Sequence, residues 1–98
     1  MELNKNKLQE ALQTVALYTC TETQILQKFL NIETEGIVVI KSTDLQKQLG
    51  VSHTAIYSSL KNLEFKGVLI KLRDQRNSYK LNVEKLESII KIYDNIRN

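Results

Sequence analysis

Between Ser42 and Leu63 the apolar residues keep a helical spacing that is interrupted once, at Gly50-Val51-Ser52. Leu45 and Leu49 stand four apart before the break, and Ile56, Leu60 and Leu63 resume the same pattern after it. Thr43 with Gln46 has the form of a capping box that opens the first helix. Gly50 suits the left-handed conformation just past a helix end, and Ser52 is an N-cap for a second helix over His53–Lys66. Two helices joined by so short a turn must cross. Leu45, Leu49, Val51, Ile56 and Leu60 supply the small core that fixes the crossing, and Ala55 is small enough for a close approach. The stretch from about 43 to 66 therefore reads as a helix-turn-helix.

The flanking sequence fills in around this unit. Leu8, Ala11, Leu12, Val15 and Tyr18 mark one face of a helix over about residues 4–19. Thr21 with Gln24 suggests the start of a second helix, whose inner side holds Ile25, Leu26, Phe29 and Leu30. Ile37–Ile40 is β-branched, follows Gly36, and reads as a buried strand. Phe65 and Tyr79 are expected in the core. After Gly67, Val68–Leu72 and Ser78–Leu81 read as two strands around a polar turn at Arg73–Asn77, and Asn82 can cap a last helix over about 83–96. With 98 residues and 42% hydrophobic content, the expectation is one domain over 1–98, mainly α with a small β-wing (α+β).

Several function classes lose support from the same residues. Cys20 is the sole cysteine, so no internal disulfide can form, and one Cys with one His cannot supply a structural zinc site. Cys20 is expected to pack at a helix junction. No apolar run is long enough for a membrane span, and no short apolar segment follows Met1–Lys5 as a signal peptide requires. The expected location is the cytoplasm. There is no Gly-rich phosphate loop, metalloprotease motif or nucleophile elbow, so no enzymatic activity, cofactor or metal is predicted.

Charge is unevenly spread. Residues 41–80 carry eight Lys and Arg against three acidic residues, while residues 1–40 are net negative and 81–98 are neutral. A concentrated positive stretch is what a polyanion-binding surface needs; a solvated lysine-rich surface reads the same way from charge alone.

The helix-turn-helix, followed by Leu63-Glu64-Phe65-Lys66-Gly67-Val68-Leu69, resembles the winged-helix regulators of the broad MarR, ArsR and GntR type over residues 22–82. That resemblance implies double-stranded DNA as the partner, with the second helix in the major groove and the strand hairpin as a wing. On the side opposite Ile56, Leu60 and Leu63 lie His53, Thr54, Tyr57, Ser58, Lys61 and Asn62. Thr54 and Ser58 can bond bases or phosphates, Tyr57 can meet a thymine methyl, and Lys61 suits a phosphate. The helix start at Ser52 offers backbone N–H groups to a phosphate. Lys71, Arg73 and Arg76 belong to the hairpin; Arg76 is the better minor-groove candidate, and Arg73 either joins it or pairs with Asp74. His53 either contacts a base or is simply exposed, Tyr57 either faces DNA or packs under the wing, and Lys47 is expected to be solvated.

The chain also resembles in layout the TubR centromere-binding proteins of plasmid and phage partition: N-terminal helix, Phe29-Leu30 helix end, strand, helix-turn-helix, wing at Arg73–Ser78 and closing helix. This resemblance implies repeated DNA sites, repression of the chain's own operon and recruitment of a tubulin/FtsZ-like GTPase filament. An ordinary operator-binding repressor is the rival within DNA binding, and a protein-interaction module is the rival outside it. The last helix holds Val83, Leu86, Ile89, Ile90, Ile92, Tyr93 and Ile96, a wide apolar stripe. A homodimer through the terminal helices is expected, using Leu8, Leu12 and Val15 with Leu86, Ile89, Ile90 and Tyr93; the alternative is that both helices pack on their own subunit.

Overall fold

The computed structural model describes residues 3–97. Met1 and Glu2, part of the Met1–Lys5 stretch expected not to open a signal peptide, lie outside them. Five helices and three strands follow in the order α1 (Lys5–Thr14), α2 (Cys20–Ile32), β1 (Ile37–Val39), α3 (Ser42–Leu49), α4 (His53–Phe65), β2 (Leu69–Lys71), β3 (Ser78–Leu81) and α5 (Val83–Arg97). The chain is thus mainly helical with one small antiparallel sheet, ordered β1-β3-β2. Val38 and Lys71 both stand opposite Tyr79 of the central strand.

Helices cover only one side of the sheet. Val38, Tyr79, Leu69 and Leu81 face them and are buried, whereas Val39 and Ile70 are exposed on the other side. The strand read as buried throughout therefore alternates, as expected for an antiparallel sheet packed on one face. Phe29 of α2 lies against Tyr79, with ring centroids 5.8 Å apart. Ile25, Leu26, Ile56 and Leu63 complete the centre of the core.

Helix starts differ from the sequence reading in two places. The capping box of α2 is Thr19 with Glu22, two residues before the expected pair: Thr19 Oγ1 accepts from Glu22 N at 3.1 Å, and Glu22 Oε1 accepts from Thr19 N at 3.4 Å. Both patterns fit the rule, and the earlier one prevails because Glu22 has further partners. Cys20 then becomes the first residue of α2 and is exposed, not packed. Helix α3 begins at Ser42 after Lys41 without a side-chain cap, so Thr43 and Gln46 lie inside it.

Terminal helices close on their own subunit. Helix α1 stops at Thr14, leaving Tyr18 in the connection to α2, and lies along α5. Leu8, Leu12, Val15, Leu86, Ile89 and Tyr93 are all buried in the core of this one chain. The Tyr93 hydroxyl donates to Glu10 Oε2 at 3.1 Å, and Lys7 pairs with Asp94 at 2.7 Å. This corrects the expectation that those six apolar side chains are held for a second copy; Ile90 is only half-buried. What α5 leaves exposed is Ile92 and Ile96.

Three residues separate α3 from α4. Gly50 ends α3 at φ 66°, ψ 34°, with its N–H donating to Gln46 O. Ser52 caps α4, its Oγ accepting from Ala55 N at 3.2 Å. At the far end, Asn82 links α4 to α5: its Nδ2 donates to Gly67 O at 2.8 Å while its Oδ1 accepts from Lys85 N. A Cβ at Gly50 would meet nothing within 4 Å, so only backbone conformation resists substitution there. We expect Gly50→Ala to lower stability by about 1–2 kcal/mol, with Gly50→Asn milder, as read from urea unfolding midpoints.

Candidate functional site

Helix α4 divides into three sides by its period of about 100° per residue. Ile56, Leu60 and Leu63 point to the core. Ala55, Ser59, Asn62 and Lys66 turn toward α2. The remaining arc holds His53, Thr54, Tyr57, Ser58 and Lys61, all exposed, with the half-buried Glu64 among them, and Ser52 just before them is exposed too.

The side facing α2 is organised by one carboxylate. Glu22 is 1% exposed and accepts hydrogen bonds from Lys66 Nζ at 2.7 Å and Asn62 Nδ2 at 3.3 Å, besides serving its own helix cap. Burial acts to raise its pKa, but the hydrogen bond and charge of Lys66, the Thr19 N–H and the Asn62 amide together outweigh it and hold the carboxyl below its ordinary value. Lys66 Nζ also lies 5.0 Å from the centre of the Tyr18 ring. Two sequence readings change as a result. Asn62 bonds back to α2, off the row expected to face DNA. Lys66, counted with the positive stretch, is engaged inside the subunit.

Phe65 was expected in the core and is 93% exposed. It lies about 180° around α4 from the Ile56 stripe, in line with Thr54, Ser58 and Lys61. The helical period alone places it there; its apolar character pointed the other way. Tyr57 is also exposed, and Lys61 Nζ stands 5.5 Å from its ring centre, a contact across one helical turn. Tyr57 therefore does not pack under the hairpin.

The β2–β3 connection carries Arg73 and Arg76, both exposed. Among the described residues no ion pair joins Arg73 to Asp74. Asn77 closes the turn at φ 57°, and Ser78 Oγ donates to Arg76 O at 3.1 Å. Between this hairpin and α4 runs a cleft of about 210 Å³, bordered by His53, Tyr57 and Lys61 on one side and by Lys71 and Asn77 on the other. The cleft brings the cations of helix and hairpin to one face. The first turn of α4 holds no acidic residue, so its N–H groups and dipole are not opposed there.

No helix among the described residues is long and apolar enough to cross a membrane. Among the same residues, no group of three or more His, Cys, Asp or Glu side chains is arranged to hold a metal ion. No protein family, curated protein or solved structure matches the chain.

Glu22 makes a pH prediction. A carboxyl whose pKa is lowered on folding contributes stability above its unfolded pKa, and that contribution is lost as pH falls through the folded value. Glu33 behaves alike, lowered by the Lys5 ammonium at 2.6 Å and the Gly36 N–H. Thermal melts should show stability falling below about pH 4.5, with a shallower acid loss in Glu22→Gln. At neutral pH Lys66→Ala should cost about 1–3 kcal/mol, because it strips a buried carboxylate of its strongest donor.

Proposed function

We propose that this chain is a winged-helix protein that binds double-stranded DNA as a homodimer. Helix α4 is the reading helix and the β2–β3 hairpin is the wing. One observation carries the proposal: Lys61 of α4 and Lys71 of β2 border the same cleft, so the exposed polar row of the helix and the cations of the hairpin look out from one face. A helix of 13 residues is about 20 Å long and fits a major groove about 12 Å wide.

Thr54 and Ser58 would reach base edges, with Tyr57 beside them. Lys61 and the Ser52 helix start would hold phosphates, and Arg73 and Arg76 would reach the backbone or the adjacent minor groove. His53 borders the cleft and would meet the backbone more readily than a base. Two copies would set two α4 helices about 34 Å apart, one turn of duplex. The exposed Ile92 and Ile96 of α5 support a pairing surface there, in place of the residues that fill the core.

Repeated sites, control of the chain's own operon and a tubulin-like GTPase partner rest on the layout resemblance, as does the rival role of a simple operator repressor. Selection of genomic fragments by the purified protein separates the two: clustered repeats favour the partition adaptor, and isolated promoter palindromes favour the repressor. A protein-binding role has one observation in its favour, the exposed Phe65 at the end of the outward row of α4. Failure to retain any duplex at low salt would leave that role standing.

Four cations per subunit on this face, Lys61, Lys71, Arg73 and Arg76, give about eight phosphate contacts in a dimer and a log–log salt slope on the order of −7. Lys61→Ala and Arg76→Ala should each weaken duplex binding about tenfold at low salt and flatten the slope by about 2. Neither should change the oligomeric state. Ile92→Asp with Ile96→Asp should convert the dimer to a folded monomer in sedimentation experiments, and loss of folding or an unchanged dimer would move the interface elsewhere.

A further inference from the structure

Phe65 is the most exposed large apolar side chain among the described residues, at 93%. It is the last residue of α4, and packing within the chain makes almost no use of it. At about 100° per residue it falls within about 40° of Thr54, Ser58 and Lys61, so the four form one line down the helix. Its place eleven positions after Thr54 puts it about 16 Å further along the axis.

The direction of the ring is fixed from behind. Asn62 and Lys66, on either side of Phe65 in sequence, are both bonded to the buried Glu22, at 3.3 and 2.7 Å. The last turn of α4 therefore cannot rotate to bring the ring inward. The nearest acidic residue in sequence, Glu64, turns away into the cleft beside the hairpin. What shares the line with Phe65 is two hydroxyls and the Lys61 ammonium. Such a row complements a polyanion. A lone ring in polar company is also unlike the contiguous apolar patch that a protein partner buries. On a duplex, the one apolar group that base edges present in the major groove is the C5-methyl of thymine.

We propose that Phe65 reads thymine: its ring packs on a C5-methyl group, and α4 lies lengthwise in the major groove so that Thr54 and Phe65 serve the same half-site. The proposal rests on the DNA-binding reading and adds to it the direction of the helix and a base for its last residue. A helix entering the groove by its N-terminus alone would leave this ring in water. The distance between Thr54 and Phe65 spans at most about five base pairs of duplex.

The test begins with selection from a library of random duplexes of about 30 base pairs at about 50 mM salt. The preferred duplex is then remade with deoxyuridine in place of thymine, which deletes the methyl groups and keeps every hydrogen bond. The parent should lose about fourfold in affinity per half-site, or about fifteenfold as a dimer. Phe65→Ala should bind the thymine duplex about fifteenfold more weakly than the parent, yet lose less than about twofold on methyl removal. Phe65→Leu should keep most of the sensitivity. Neither variant should change the salt slope, because no phosphate contact is lost.

Equal methyl sensitivity in the parent and Phe65→Ala, or none in either, would overturn the thymine contact while duplex binding itself stood. Single deoxyuridine replacements should place the sensitive thymine up to about five base pairs from the position that Thr54→Ala relaxes. Sensitivity confined to that position would overturn the lengthwise placement. Failure to retain any duplex would remove the DNA reading and this contact with it, and leave the ring to a protein partner.

Discussion

Ile56, Leu60 and Leu63 lie along one side of α4, and α2, α3 and β2 all pack on that helix, so the position of each depends on how the stripe is filled. Burying three such side chains contributes about 5–9 kcal/mol before opposing terms, as much as the whole net stability of a typical domain. The stripe says that α4 is held but not at which rotation. That is where Glu22 acts: its carboxylate starts α2 through the Thr19 cap and receives Asn62 and Lys66 from the last turns of α4. A buried charge with three donors has few alternative positions, and a slip of α4 by one residue would strip it of Asn62 and Lys66.

The exposed arc of α4 follows from this arrangement. With one side on the core and another on Glu22, what remains is the row of His53, Thr54, Tyr57, Ser58 and Lys61, continued by Phe65. The hairpin stands beside that row because β3 occupies the middle of the sheet and β2 its edge, which brings Lys71 to the cleft opposite Lys61. Asn82 completes the frame by holding the end of α4 and the start of α5 with one side chain. The proposed DNA face is thus the rim of the cleft between α4 and the hairpin.

The terminal helices show how an apolar stripe can be misread. Counted along the sequence, α5 carries more isoleucine than a small core needs. In the fold, α1 lies along it and uses most of that surface within the subunit, with the Tyr93–Glu10 and Lys7–Asp94 contacts fixing the pair. A wide stripe records that something covers it, not which chain supplies the cover.

Local chemistry made much of this legible from residues alone. Gly50 ending α3, Ser52 capping α4, Asn82 opening α5 and the order of helices and strands all depend on side chains a few positions apart, and short-range rules describe them. The polar row of α4 was visible for the same reason, through its period. Contacts between elements distant in sequence were not. Glu22 meeting Lys66 across 44 positions removed one cation from the apparent surface charge, turned Asn62 away from the outer row and set the cap of α2 at Thr19. The one-sided cover of the sheet, the burial of α1 on α5 and the placing of Lys61 and Lys71 on one cleft likewise required the chain to fold back on itself. Which polar groups are buried, and what satisfies them, is settled by packing over long separations, and periodicity carries no information about that.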